Sequence, residues 1–201
     1  MSMETTVMKR EITPADIIPM AEYGRTRAER RRQLTALKRD RRVEVGPHAT
    51  FYFESYDTMW HQVHEMLYIE KGGEAQIAGE LEAYNPLVPN GRELVATLMF
   101  EIDNPDLRAR FLGKLGGVEE TVTLEFAGET VRGRPEEDVD RTSAEGKASS
   151  VQFIHFPFTA AQAVKFKTPG ARVTLAFGHE AYAHMAVIPE RVRAALAEDL
   201  D

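Results

Sequence analysis

The hydrophobic period of the chain changes near residue 90, which limits it to folds that gather helices first and a sheet afterwards. Upstream, residues 55–71 read as an amphipathic helix: Trp60, Val63 and Leu67 recur at three- and four-residue spacing, Ser55 or Asp57 caps the start, and Gly72-Gly73 ends it. Residues 74–84 read as a second helix, stopped by Asn85-Pro86 and Pro89-Asn90-Gly91. The glycine pair between the two predicts an antiparallel helical hairpin. Before it, Thr13-Pro14-Ala15-Asp16 has the pattern of a helix start, with Thr13 as N-cap. Residues 23–42 are mostly good helix formers, but their apolar content is only Ala28, Leu34, Ala36 and Leu37. Such a helix lies on the surface or docks through one narrow seam.

Residues 43–45 and 50–53 alternate, and after residue 93 the pattern becomes one of short β-rich runs at 94–102, 121–126, 151–158 and 173–177. Ala127-Gly128 predicts a tight turn, and short helices fit 105–115, 160–165 and 189–200. Together these predict an α+β fold: N-terminal helices including a helical hairpin, then a mainly antiparallel sheet with short helices and a C-terminal helix. A length of 201 residues predicts a single domain over 1–201, with 1–45 as a helical N-terminal arm. Residues 133–148 carry one branched apolar side chain, Val139, and read as a long loop that is either functional or mobile.

The chain contains no cysteine, which excludes disulfides, thiol nucleophiles and thiolate metal sites. No run of 18 apolar residues occurs and the N-terminus lacks a signal-peptide core, so the expectation is a cytoplasmic protein with no membrane association. Charge is distributed unevenly. Residues 25–42 hold nine basic side chains against Glu29 and Asp40, leaving −14 for the rest of a chain whose net charge is −7. A +7 segment can meet nucleic acid or another anion, but the acidic remainder repels a polyanion and makes nucleic acid the weaker reading. Docking onto a protein partner, a second subunit or the chain's own acidic surface is the simpler account.

Chemistry concentrates first on His61, His64 and Glu65, which share one side of a helix and could form a facial site for iron, zinc or manganese, with Glu80 or Glu82 as a further ligand. The alternative is that these groups are solvated or hydrogen-bonded to the next element. His179 and Tyr182, in His179-Glu180-Ala181-Tyr182-Ala183-His184 after a strand, could serve as acid, base or ligand, or be turn residues. His155 alternates with Val151 and Phe153. Lys147, beside Ser149 and Ser150, could hold a small anion together with Arg141. No nucleotide-binding glycine loop or serine-hydrolase motif is present.

The runs Arg41-Arg42-Val43-Glu44-Val45-Gly46-Pro47, Gln62-Val63-His64-Glu65-Met66-Leu67 and Glu80-Leu81-Glu82-Ala83-Tyr84-Asn85-Pro86-Leu87-Val88-Pro89 resemble a bacterial domain family of unknown function. Ala96 to Glu101, Gly146 to Phe156 and His179 to Tyr182 extend the resemblance over most of the chain. Members of that family are often encoded near rubrerythrin-like and iron–sulfur proteins, so the resemblance implies a redox or oxidative-stress setting. Its pattern has Gln where this chain has His64 and does not include His61, so it points to Glu65, Glu80, Tyr84 and Asn85. The expectation is a binding or accessory protein acting with redox partners. The alternatives are a metal-binding protein or metal-dependent enzyme using the hairpin, and anion or nucleic-acid binding by residues 25–42.

Overall fold

The computed structural model describes residues 9–136 and 147–201. A short 3₁₀ turn, Pro14–Asp16, precedes helix α1 (Met20–Arg39). Strands β1 (Arg42–Val45) and β2 (Ala49–Phe53) follow, then helices α2 (Tyr56–Glu70) and α3 (Glu74–Tyr84). The second half runs β3 (Glu93–Phe100), α4 (Pro105–Leu112), β4 (Val122–Phe126), β5 (Glu129–Arg132), β6 (Arg134–Pro135), β7 (Val151–Pro157), α5 (Ala160–Lys167), β8 (Val173–Phe177), β9 (Met185–Val187) and α6 (Glu190–Ala197). This is the expected α+β order. Residues 42–45, counted above with the N-terminal arm, are instead an edge strand, and Arg134-Pro135 at the start of the expected loop pair with β7.

Among the described residues the strands named above pair antiparallel, but they divide between two sheets, β1-β2-β3-β7-β6 and β5-β4-β8-β9. The inner faces of the two sheets enclose the main core. Phe51, Phe53, Leu98, Phe100, Ile154 and Phe156 come from one sheet, and Leu124, Phe126, Leu175 and Phe177 from the other. The outer face of the five-stranded sheet is apolar at Val95 and Phe153, and there α2 and α3 pack with Met59, Val63, Leu67 and Leu81. That makes three layers, helices on sheet on sheet, with the alternation of β3 and β7 supplying both faces.

Helix α2 is capped by Ser55, whose side chain accepts the Thr58 N–H while the Thr58 hydroxyl accepts the Ser55 N–H. It is covered on a second side by α1, through a seam of Tyr23, Arg27, Arg30, Leu34 and Leu37 at alternating four- and three-residue spacing. Gly24 permits this approach, since a Cβ there would come within 2.9 Å of the Tyr68 ring. The second covering explains why Trp60 is only partly buried while His64 is fully buried: α2 has two inner sides. Among the described residues no helix is long and apolar enough to cross a membrane.

Ala127 and Gly128 close the β4–β5 hairpin with φ of +47° and +76°, the pair of left-handed conformations that a type I′ turn requires. Alanine carries a steric cost there that asparagine largely avoids. Ala127→Asn is expected to stabilise the fold by about 1 kcal/mol and raise Tm by about 3 °C in thermal melts. An unchanged or lowered Tm would contradict the turn assignment.

Candidate functional site

Of the side chains expected to gather a metal, His61 and Glu65 lie near each other, but His64, Glu65 and Glu80 are bound to other groups of the protein. Glu65 accepts hydrogen bonds from Tyr23 Oη at 2.7 Å, Arg27 Nε at 2.8 Å and Arg27 Nη2 at 2.7 Å. The Arg27 guanidinium, helped by the Tyr23 hydroxyl, outweighs burial and holds the Glu65 carboxyl down to about 2. His64 is fully buried against Trp60; its Nδ1 donates to the Trp60 carbonyl at 2.7 Å and its Nε2 accepts the Ile18 N–H at 3.1 Å. With both ring nitrogens engaged, His64 has no lone pair for a cation. Glu80 accepts from Gln76 on its own helix at 2.7 Å. Among the described residues no three His, Asp or Glu side chains converge as a cation site. The alternative in which these groups bond to a neighbouring element holds for His64 and Glu65, because α1 and the segment before it cover α2.

His61 differs. It is buried, its Nε2 has no hydrogen-bond partner among the described residues, and that atom lies 4.0 Å from Glu65 Oε1, which is already occupied by Tyr23 and Arg27. Burial lowers the His61 pKa; Glu65 opposes the shift, while Lys38, Arg31 and Arg27 add to it. The ring is therefore neutral at neutral pH, a donor on one nitrogen and an acceptor on the other.

His61 and Leu34 are shared by two adjoining depressions. The smaller, about 320 Å³, is lined by Arg30, Gln33, Leu37, Asp57 and Trp60. The larger is a cleft of about 420 Å³ on the outer face of the five-stranded sheet, where the helical hairpin leaves the strands uncovered. Tyr52, Thr97, Met99 and Phe153 form its floor, α2 contributes Thr58, Met59 and Gln62, and Lys38 reaches it from the last turn of α1. At its edge Glu54 is only 4 % exposed, with Oε1 accepting from the Thr97 hydroxyl and Oε2 from the Thr58 hydroxyl, both at 2.6 Å. This volume and this mixture of apolar walls with a few polar groups are those of a small-molecule site.

Of the residues singled out in sequence, Tyr84 lines this cleft, its hydroxyl accepting from Gln62 Nε2 at 3.3 Å. Asn85 does not line it. Its side chain accepts the Ile12 N–H at 2.8 Å and donates to the Ile12 carbonyl at 2.9 Å, fastening the N-terminal segment to the end of α3. Tyr182 is buried in the core, where its hydroxyl donates to the Val45 carbonyl at 2.8 Å and accepts the N–H groups of His48 and Ala49 at 3.1 and 3.0 Å. It fixes the β1–β2 turn, in which Gly46 has φ +70° and a Cβ would meet that hydroxyl at 2.7 Å. His179 is half-buried and closes its own turn, accepting the Ala181 N–H and donating to the Gly116 carbonyl. His155 points to the outer face and pairs with Glu93 at 3.2 Å. Lys147 is exposed, and Arg141 lies outside the described residues.

Lys38, Glu54, Thr58 and Thr97 were not singled out by the sequence reading. The available signal was Phe51-Tyr52-Phe53-Glu54-Ser55: an acid placed directly between an apolar strand and a helix cap has little room to reach water. Of the basic segment, Arg27 pairs with Glu65 and Arg41 with Asp199, the latter pair buried. Among the described residues Arg25, Arg31, Lys38 and Arg39 have no acidic partner within ion-pair distance.

Glu65→Gln leaves Arg27 without its counter-charge and is expected to destabilise the protein by about 2 kcal/mol at pH 7. Since the folded carboxyl titrates near 2 and the ordinary one near 4.5, the wild-type advantage is complete above pH 4.5 and shrinks as pH falls toward 2. Urea melts of both proteins across that range check it; a gap that does not narrow in acid would contradict the pairing.

Comparison with known proteins places the chain among uncharacterised relatives. A family model described as a protein of unknown function, DUF3501, matches residues 11–200. A crystal structure of a protein of unknown function from Burkholderia pseudomallei is 36 % identical, superposes with a TM-score of 0.88, and the match covers 94 % of this chain and 99 % of that one. No curated protein matches the chain.

Proposed function

We propose that this chain, which belongs to the DUF3501 family, is a binding protein that takes a small organic molecule into the cleft between α1, α2 and the outer face of the five-stranded sheet. The observation that carries this reading is the set of unmatched polar groups at the cleft. Among the described residues the buried His61 Nε2 has no partner, and the buried Glu54 carboxyl group has hydroxyl groups as its hydrogen-bond partners and no cation paired with it. Buried polar groups are normally satisfied, and exceptions concentrate where a ligand completes them.

The role is that of an accessory protein. The chain has no thiol, and Glu65 and His64, the strongest metal-ligand candidates in the sequence, are consumed by protein contacts. The partners we assign to it are redox proteins, in keeping with the setting implied by the sequence resemblance. An acidic surface on such a partner would meet Arg25, Arg31 and Arg39, which are exposed along α1.

A thermal-shift panel of amino acids, amines, carboxylic acids and sugars tests the cleft. A compound present at ten times its Kd adds about 1.4 kcal/mol, raising Tm by about 4 °C. At least one compound is expected to do so and to shift the His61 imidazole resonances in NMR spectra. A panel that raises no Tm, or a binder that leaves His61 unmoved, would overturn the reading.

A further inference from the structure

We infer that the cleft is built for an amino-acid-like zwitterion with an apolar side chain, an inference that rests on the cleft being a binding site. Glu54 and Lys38 line the same cavity, and no ion pair joins them. The two Glu54 oxygens each accept one hydroxyl hydrogen bond, from Thr97 and from Thr58. A carboxylate accepts about four, so lone pairs remain on each oxygen. The guanidinium beside Glu54 is already committed: Arg41 pairs with Asp199 and donates to the main-chain carbonyls of Phe53 and Glu54. The Glu54 carboxyl group is thus held out of water by hydroxyl groups and matched by no cation among the described residues, a state that an incoming ammonium would relieve.

Lys38 supplies the opposite sign from α1, with no acidic partner among the described residues. A ligand carrying only an ammonium group would suit Glu54 and be repelled by Lys38. One carrying only a carboxylate would suit Lys38 and be repelled by Glu54. A molecule with both charges on neighbouring atoms is matched on both sides. Met59, Leu87, Met99 and Phe153 then offer an apolar floor for its side chain, in a space of about 420 Å³.

Three probes sharing one ring separate the possibilities: L-phenylalanine, 2-phenylethylamine and 3-phenylpropanoate, titrated calorimetrically into the wild-type protein. Phenylalanine is expected to bind more tightly than either singly charged probe by about tenfold or more. Glu54→Gln should abolish its advantage over phenylpropanoate, and Lys38→Met its advantage over phenylethylamine. Glu54 joins Thr58 to Thr97, so its variant could fail to fold; the wild-type ranking and Lys38→Met, on an outer helix turn, decide the matter without it. A singly charged probe that binds as tightly as phenylalanine would overturn the zwitterion and leave the cleft standing. No phenylalanine binding at millimolar concentration, as would follow if Lys38 swings onto Glu54, would overturn it too. The cleft itself falls if the wider panel also finds nothing, or finds only compounds that leave His61 unmoved.

Discussion

The Glu65 carboxylate receives one hydrogen bond from Tyr23 and two from Arg27, and through these three bonds helix α1 is held against α2. Little else in the composition of α1 would bind it there. Its mean hydropathy is low, and Tyr23 is its one fully buried side chain. A helix with so thin an apolar stripe needs specific polar contacts to acquire a fixed position, and a bidentate arginine–carboxylate pair provides direction as well as energy. The tyrosine hydroxyl and the cation–π contact of Arg27 with Tyr68 narrow the geometry further.

The position of α1 determines what stands at the cleft. Continuing from Arg27, the seam carries Leu34 to the wall between the two depressions and Lys38 to the larger one. The helix end is then fixed by Arg41, whose buried guanidinium joins the carbonyls at the end of β2 to Asp199 near the C-terminus. The same residue that ties α1 to the sheet is thereby kept from pairing with Glu54. Structural arginines at residues 27 and 41 thus leave a histidine, a glutamate and a lysine around one cavity unmatched among the described residues.

Much of this architecture is carried by local sequence. The α3 helix and strand β8 coincide with their expected limits, and the Ser55 cap, the glycine-linked hairpin and the Ala127-Gly128 turn follow from short-range chemistry that tertiary contacts need not create. The division of strands between two sheets was not readable, because alternation reports that a strand has two different faces but not which partner each face meets. The site was harder still. His64 and Glu65 stand out as a ligand pair on a helical wheel, yet their partners Ile18, Tyr23 and Arg27 lie some 40 residues earlier, on a segment whose docking the local pattern left open. Glu54 escaped notice for the converse reason: it belongs to no motif, and its meaning comes from Thr97, a neighbour supplied by strand pairing.

Hydrogen–deuterium exchange of the wild type and Glu65→Gln, compared peptide by peptide, bears most directly on this dependence of the cleft on α1. If the Glu65 network positions the helix, amides of residues 20–39 should lose far more protection than those of β2, β3 and β7, which should lose no more than the global destabilisation accounts for. Uniform loss across the molecule, or an α1 as protected as before, would show that the helix is held by something other than the three bonds to Glu65.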